Sequence, residues 1–339
     1  MPFNKLLSKF HLNDGSKNSM SENGFSTAPE DKLFPKTDAT IDGEDCLHDC
    51  ESCTIKLPRS WKIDESAKLY GHINGWQTHL IVATGKTDWV RDVADEKGSI
   101  MEAVDKGKAK PNNGKLMLSA SNIPVPSTTD ASATTVLLLP AFTYIDNVTP
   151  ASVPELISTH VNAGPTNTTP LVNQPATSDA MANGSAAAPA HLTTRPCPHR
   201  YLILLCSQKT RDARCGQSAP LLRREFERHL RPLGLYRDLD DERPGGVGIY
   251  FISHVGGHKF SANCMVYRRA DAAGVKAAER DEGGDELGPM EAAQCIWLAR
   301  VRPEDCENIV RYTILQGKVV KPESQLRGGF DRSRGLVSW

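Results

Sequence analysis

Two short apolar runs constrain this chain most, because each ends in residues that bind metals. Tyr201-Leu-Ile-Leu-Leu205 stops at Cys206, and Val247-Gly-Ile-Tyr-Phe-Ile252 delivers His254. Apolar runs of this length, bounded by turn residues, read as buried strands. After the first strand comes Cys206-Ser-Gln-Lys-Thr-Arg-Asp-Ala-Arg-Cys215, placed in a loop, and after the second comes His254-Val-Gly-Gly-His258. Thiolate and imidazole together suit zinc, or iron in a cluster. Zinc would make the site structural, whereas a [2Fe-2S] cluster would make the protein an electron carrier. The spacing favours iron. Paired zinc thiolates usually sit two to four residues apart so that both reach one ion, while C-x8-C lets a loop fold over a larger object. Two Cys with two His also match the Rieske ligand set in number, although the Rieske spacing is absent.

The rest of the chain narrows the class. A length of 339 residues suggests about two domains, and a formal charge of −1 argues against nucleic acid as the main partner. Nine cysteines, an odd number, with no apolar leader, point to a reducing compartment and away from a disulfide framework. No run of about 18 apolar residues offers a membrane span.

Residues 1–43 are polar and are expected to be disordered. The stretch Lys5–Phe10 is amphipathic but lacks Arg, and Asp14 follows, unlike a mitochondrial presequence. Cys46-Leu-His-Asp-Cys50-Glu-Ser-Cys53 is a C-x3-C-x2-C run, read first as a cysteine-bearing linker into the first domain; the spacing also suits the [4Fe-4S] cluster of radical enzymes, whose barrel and Gly-rich motif are not visible, or a three-thiol zinc or transient redox site with His48 as a fourth ligand. Trp76–Thr84 reads as a strand. Gly85-Lys-Thr-Asp88 lacks the first glycine a phosphate loop requires. A helix around Ser99–Asp105, strands at Lys115–Ala120 and Thr135–Tyr144, and a helix capped by Thr149 complete a first globular segment, 44–159. Residues 160–195 read as a flexible linker. The second segment, 196–322, runs strand, helix Gln217–Leu235, strand, then strand Cys264–Arg268, an acidic Gly-rich loop near 279–289, strand Gln294–Val301 and a last helix from Pro303. This β-α-β, β-β-α order is thioredoxin-like. Residues 323–339 are expected to be a mobile tail ending in Trp339.

The two segments echo each other. His79–Thr84 parallels Tyr201–Cys206, Lys86-Thr87-Asp88 parallels Lys209–Asp212, and Val148–Ile157 parallels Val301–Val310. The expected fold class is therefore α/β, with two thioredoxin-like domains. Thr84 then stands where Cys206 stands in the second, and Ser121–Pro124 lies near the place of the His pair, leaving the first domain without ligands.

The Cys-x8-Cys and His-Val-Gly-Gly-His set, with Lys209-Thr-Arg-Asp212 and Cys215-Gly216, resembles the sucrase/ferredoxin-like family. Lys62-Ile-Asp-Glu65, Leu69-Tyr-Gly71 and Gly85–Trp89 resemble its fungal actin-patch-distal branch. The resemblance implies a C-terminal thioredoxin-like ferredoxin domain carrying a [2Fe-2S] cluster. Cys206 and Cys215 would ligate one iron and His254 and His258 the other. It also implies electron exchange with redox partner proteins and a link to actin patch organisation and redox homeostasis. A thiol oxidoreductase and a zinc-bearing scaffold are the other classes the residues allow. Val337-Ser338-Trp339 resembles the end by which cytosolic iron-sulfur clients are recognised by their assembly-targeting complex, which implies a cytoplasmic or nuclear address.

Overall fold

The structure, a computed structural model, describes residues 24–126, 131–171, 192–273 and 290–339. The acidic loop near 279–289, residues 1–23 and residues 172–191 of the expected linker lie outside the described residues. Strands are β1 (Ser26–Thr27), β2 (Thr78–Ala83), β3 (Leu116–Ser121), β4 (Thr134–Leu139), β5 (Thr143–Val148), β6 (Thr193–Pro196) and β7 (Tyr201–Cys206). They continue with β8 (Tyr236–Arg237), β9 (Val247–Ile252), β10 (Cys264–Arg269), β11 (Ala292–Leu298), β12 (Leu326–Asp331) and β13 (Leu336–Val337). All join one mixed sheet in the order β1-β13-β12-β11-β10-β7-β9-β3-β2-β4-β5-β6, with β8 beside the start of β9.

The middle of that order holds a repeat. β9-β7-β10-β11 and β3-β2-β4-β5 each place the second strand of a half beside its first, then the third and fourth. In both, the leading pair is parallel and the rest antiparallel. The closing helices repeat as well. Pro150–Val161 and Pro303–Ile314 each begin as a 3-10 turn, pass through one short α segment and end in a π-helix. The expected single strand Thr135–Tyr144 is the hairpin β4–β5, broken at Pro140, whose ring cannot donate to a ladder.

The strand register also corrects the sequence echo by one residue. β2 ends at Ala83 opposite Ser121, as β7 ends at Cys206 opposite Ile252. Thr84 N then donates to Ser121 O at 2.8 Å, as Ser207 N donates to Ile252 O at 3.1 Å. Ala83, not Thr84, is the counterpart of Cys206.

The halves meet at β3 and β9, which run antiparallel and overlap only at Ser121 and Ile252. Both strands therefore end at the seam. One buried cluster crosses it, mixing Trp76, Ile81 and Tyr144 with Leu202, Tyr250 and Trp297. A second lies under the helix Ala213–Leu230, and a third belongs to the first half.

Segments expected to be loose are built in. Leu33 and Phe34 are buried in the cluster under the helix, and β1 pairs with β13. Asn167, within the expected linker, is fully buried and donates through Nδ2 to Trp76 O at 3.0 Å. The tail 323–339 is the largest correction. β12 pairs with β11 along its length, and the Trp339 ring lies 4.8 Å from Trp76. Gly328-Gly329 made this stretch look unlike a strand. Gly329 is there because a Cβ would come within 1.8 Å of Cys295 O, so only glycine lets β12 approach β11.

Candidate metal centre

Open α/β sheets bind ligands beyond the carboxyl ends of their parallel strands. The Cys/His set lies at such an end. β7 and β9 are parallel and in register, so Cys206 is the neighbour of Ile252 and the following loops lie side by side. His254 N donates to Gln208 Oε1 at 2.9 Å, tying the two loops together. Cys215 is not in the loop. Asp212 accepts from Arg214 N at 2.9 Å and caps the helix, which starts at Ala213, four residues earlier than the apolar spacing suggested. Cys215 thus sits in the first turn of the helix, fully buried beside Cys206.

The two thiols act on each other's proton affinity more than any other group does. Cys215, followed by burial, pushes the Cys206 pKa well up. Cys206, helped by the Ser261 hydroxyl at 3.4 Å, lowers that of Cys215. Of the two, Cys215 therefore gives up its proton more readily. Backbone amides of Gln208 and Val255 also point to the Cys206 sulfur.

The His254 and His258 rings lie 5.1 Å apart at 49°. The Nδ1 atom of each is buried and has no hydrogen-bond partner. Burial, then His258 and nearby Arg211 and Arg327, holds the His254 pKa down to about 4, so its ring is neutral near pH 7. A buried ring nitrogen with a free lone pair is what a metal ligand requires.

Two features of the site were not visible in sequence. Arg327, in the supposed tail, lies under the His loop, only 3% exposed. It donates to Gly256 O at 3.0 Å and Asn263 Oδ1 at 2.9 Å, and its guanidinium stacks 4.5 Å from the Trp297 ring. Among the described residues it makes no carboxylate ion pair, and negative charge on Cys206 would favour its protonated form. Gly257 has φ +70°, and a Cβ there would meet this guanidinium at 2.5 Å. The second feature is a wall from the first half. Ser207 Oγ donates to Thr87 O at 2.7 Å, Gln208 Nε2 to Val90 O at 2.6 Å, and Thr210 bonds Asp88 through both N and Oγ1. The Gly85–Asp92 loop therefore braces the Cys206–Cys215 loop.

Tetrahedral zinc, with bonds of about 2.0–2.3 Å, draws its donor atoms to within about 3.3–3.8 Å of one another. Among the described residues, the set of three or more such donors within 4.8 Å is Cys50, His229 and Glu307, not the four at the strand ends. Of the N-terminal run, Cys46, Cys50 and Cys53 are buried, while His48 is exposed and does not join them.

Among the described residues no helix is long and apolar enough to cross a membrane. A sequence model of the family described as Sucrase/ferredoxin-like matches residues 69–328. The chain is 29% identical over 308 residues to Actin patches distal protein 1 of Saccharomyces cerevisiae, covering 85% of each chain. It is 30% identical over 171 residues to Altered inheritance of mitochondria protein 32 of Clavispora lusitaniae, covering 50% of each. The protein of the same name in Debaryomyces hansenii is 32% identical over 120 residues, 35% of this chain and 33% of that one. No solved structure matches the chain.

Proposed function

The chain belongs to the sucrase/ferredoxin-like family, and on that footing we propose that it transfers single electrons through a [2Fe-2S] cluster held by Cys206, Cys215, His254 and His258. One observation carries the reading: two buried thiols and two imidazoles with buried, unpartnered Nδ1 atoms stand on adjoining segments at the end of two parallel strands. When bound, such a cluster supplies reversible one-electron chemistry, at a potential raised by having imidazoles in place of two thiolates.

The chain's own residues do the rest. Cys206 and Cys215 would hold the cluster as thiolates, and His254 and His258 would offer their buried Nδ1 atoms to it. Amides of Gln208 and Val255 and the buried charge of Arg327 favour negative charge at the sulfurs. A histidine bound through Nδ1 keeps a proton on Nε2, where electron gain and proton gain are coupled. The β-α-β, β-β-α frame is read as a thioredoxin-like ferredoxin domain, with a ligand-free copy as the first half. The name of the Saccharomyces relative suggests a role at actin patches, with redox homeostasis as the wider setting. A cytosolic or nuclear address belongs to the same proposal, with loading by an assembly-targeting complex that reads Trp339. That docking requires the ring to leave Trp76, so a residue added after Trp339 should lower iron per chain in cells.

A second reading, thiol–disulfide exchange, rests on the same adjacent thiols. The visible spectrum of protein reconstituted without oxygen separates them. The expected result is a reddish-brown protein with about two irons per chain, bleached on reduction. Cys206→Ala should lose the iron, while His254→Cys should keep colour at a lower potential. A colourless, iron-free wild type with an active dithiol would overturn the cluster assignment, and a colourless zinc protein would leave a scaffold.

A further inference from the structure

At the far end of the helix that carries Cys215, a second group of metal-binding side chains comes together from three places in the sequence. Cys50 comes from the C-x3-C-x2-C run, His229 from the last turn of the helix Ala213–Leu230, and Glu307 from the segment Cys306–Asn308. Their donor atoms all lie within 4.8 Å of one another, with Cys50 Sγ 3.8 Å from His229 Nε2. The loop is fixed there by its backbone. Cys50 N donates to Glu304 O at 3.0 Å, and Asn308 Nδ2 donates to His48 O at 2.8 Å. Cys53 N bonds Cys50 O at 3.3 Å, closing the C-x2-C turn used by thiolate pairs on zinc.

The guanidinium of Arg228 marks what the group attracts. Its Nη2 lies 3.2 Å from Cys50 Sγ and 3.0 Å from His229 Nε2, and its Nε 2.6 Å from Glu225 Oε2. A cation already sits among these donors, held by the lone pairs a metal would use. Arg228 is long, and its side chain is 42% exposed, so it can swing out. The second carboxylate oxygen of Glu225 is buried with no hydrogen-bond partner, beside Cys53. Burial, then Arg228, lowers the His229 pKa, which keeps Nε2 available.

We propose that Cys50, His229 and Glu307 form a zinc site in which Arg228 holds the place of the ion until zinc displaces it. Soft sulfur with imidazole and one carboxylate is a donor set for zinc rather than for calcium or magnesium. Reaching tetrahedral spacing from 4.8 Å needs closure of about 1–1.5 Å. The ion would fasten the segment 45–53 to the last turn of the helix. Cys215 lies fourteen residues away on that helix, about 21 Å at 1.5 Å per residue, so this site is separate from the proposed cluster.

The test is zinc binding to the full chain, measured by competition with a chromogenic chelator and by elemental analysis. Iron content and visible absorption are read on the same samples, so that failure of either site is seen separately. Wild type should bind one zinc outside the strand-end site. Cys50→Ser and His229→Gln should weaken that binding at least tenfold with iron unchanged. Arg228→Ala removes the internal competitor and should tighten it severalfold, an effect that misfolding cannot imitate. Glu307→Gln, at a half-buried position, should weaken binding while leaving the melting temperature of the zinc-free protein in place. Zinc affinity equal across wild type, Cys50→Ser and His229→Gln would overturn the proposal. So would weaker binding in Arg228→Ala, which would make the guanidinium a fixed structural tie.

Discussion

Replacing Arg327 with methionine tests whether its buried charge serves the strand-end site or the fold. Burial lowers the guanidinium pKa to about 10, against about 12.5 for a free one. At about 1.4 kcal/mol per pH unit, keeping the charge in the metal-free protein costs about 3 kcal/mol. Against that stand two hydrogen bonds, to Gly256 O and Asn263 Oδ1, worth about 1 kcal/mol each. Stacking on Trp297 adds about 1 kcal/mol. Asn263 Oδ1 keeps a second donor, Trp297 Nε1 at 3.2 Å, so removal leaves it satisfied. These contributions nearly cancel, and Arg327→Met should change the stability of metal-free protein by no more than about 1 kcal/mol. Once Cys206 and Cys215 carry negative charge, the desolvation cost is offset in the wild type alone. The loaded variant should then be weaker by up to about 3 kcal/mol, or about two orders of magnitude in cluster retention. A remaining difference of about 1 kcal/mol between oxidised and reduced forms would lower the potential by about 40 mV. Urea unfolding of both forms, with a redox titration, measures all three. A loss of about 3 kcal/mol or more in the metal-free variant, matched in the loaded one, would refute the reasoning and make Arg327 an ordinary packing residue.

Gly257→Ala places a Cβ against the Arg327 guanidinium at φ +70° and should cost about 1–3 kcal/mol, with iron loading falling while secondary structure by circular dichroism is kept. Trp339→Ala removes a ring packed on Trp76, and urea titration should show a loss of about 2 kcal/mol, whereas a mobile tail would show none. His79 is fully buried between Tyr267 Oη and Ser119 Oγ, with its pKa held down to about 3 by burial, and His199 is held to about 4. Below about pH 6.5 the unfolded chain takes up protons that these rings refuse. Stability should therefore fall with falling pH, by about 1.4 kcal/mol per pH unit for each histidine, down to its folded pKa. In His79→Gln the slope between pH 6 and pH 4 should drop by one such share, as read from thermal melts across that range.

The frame was legible where side chains pattern simply. β7 and β9 are apolar throughout because both faces are covered, and apolar runs of that kind survive in the sequence as plain strands. The repeat was visible too, since Pro150 and Pro303 open equivalent helices. The tail failed for a physical reason. β12 is a strand whose Gly329 is required by close approach to Cys295, a contact 34 residues away in sequence that local propensity cannot register. Cys206, Cys215, His254 and His258 were singled out from residue type and spacing, and the fold brings them to one sheet end. Arg327, His229 and Glu307 were missed because a lone charged residue in a helix or strand looks like any solvated one until its neighbours are known. Cys50 was noted for its spacing but read first as part of a linker, and the histidine weighed beside it was the nearby His48, which is exposed, rather than His229, 179 residues away.

The single overlap of β3 with β9 has a historical reading. Two copies of one unit related across an antiparallel contact are arranged like the subunits of a twofold dimer, in which every change of sequence occurs twice. Had the ancestor been such a dimer, losing a ligand would have emptied both sites at once. Fusion into one chain removes that bond between the copies. Ala83 could then replace a thiol on one side only, and the loop from Gly85 to Asp92, freed from holding a metal, could be reshaped to grip Ser207, Gln208 and Thr210 on the other. The first half is then a component of the strand-end site in the second, and the protein is asymmetric because its two halves share one chain.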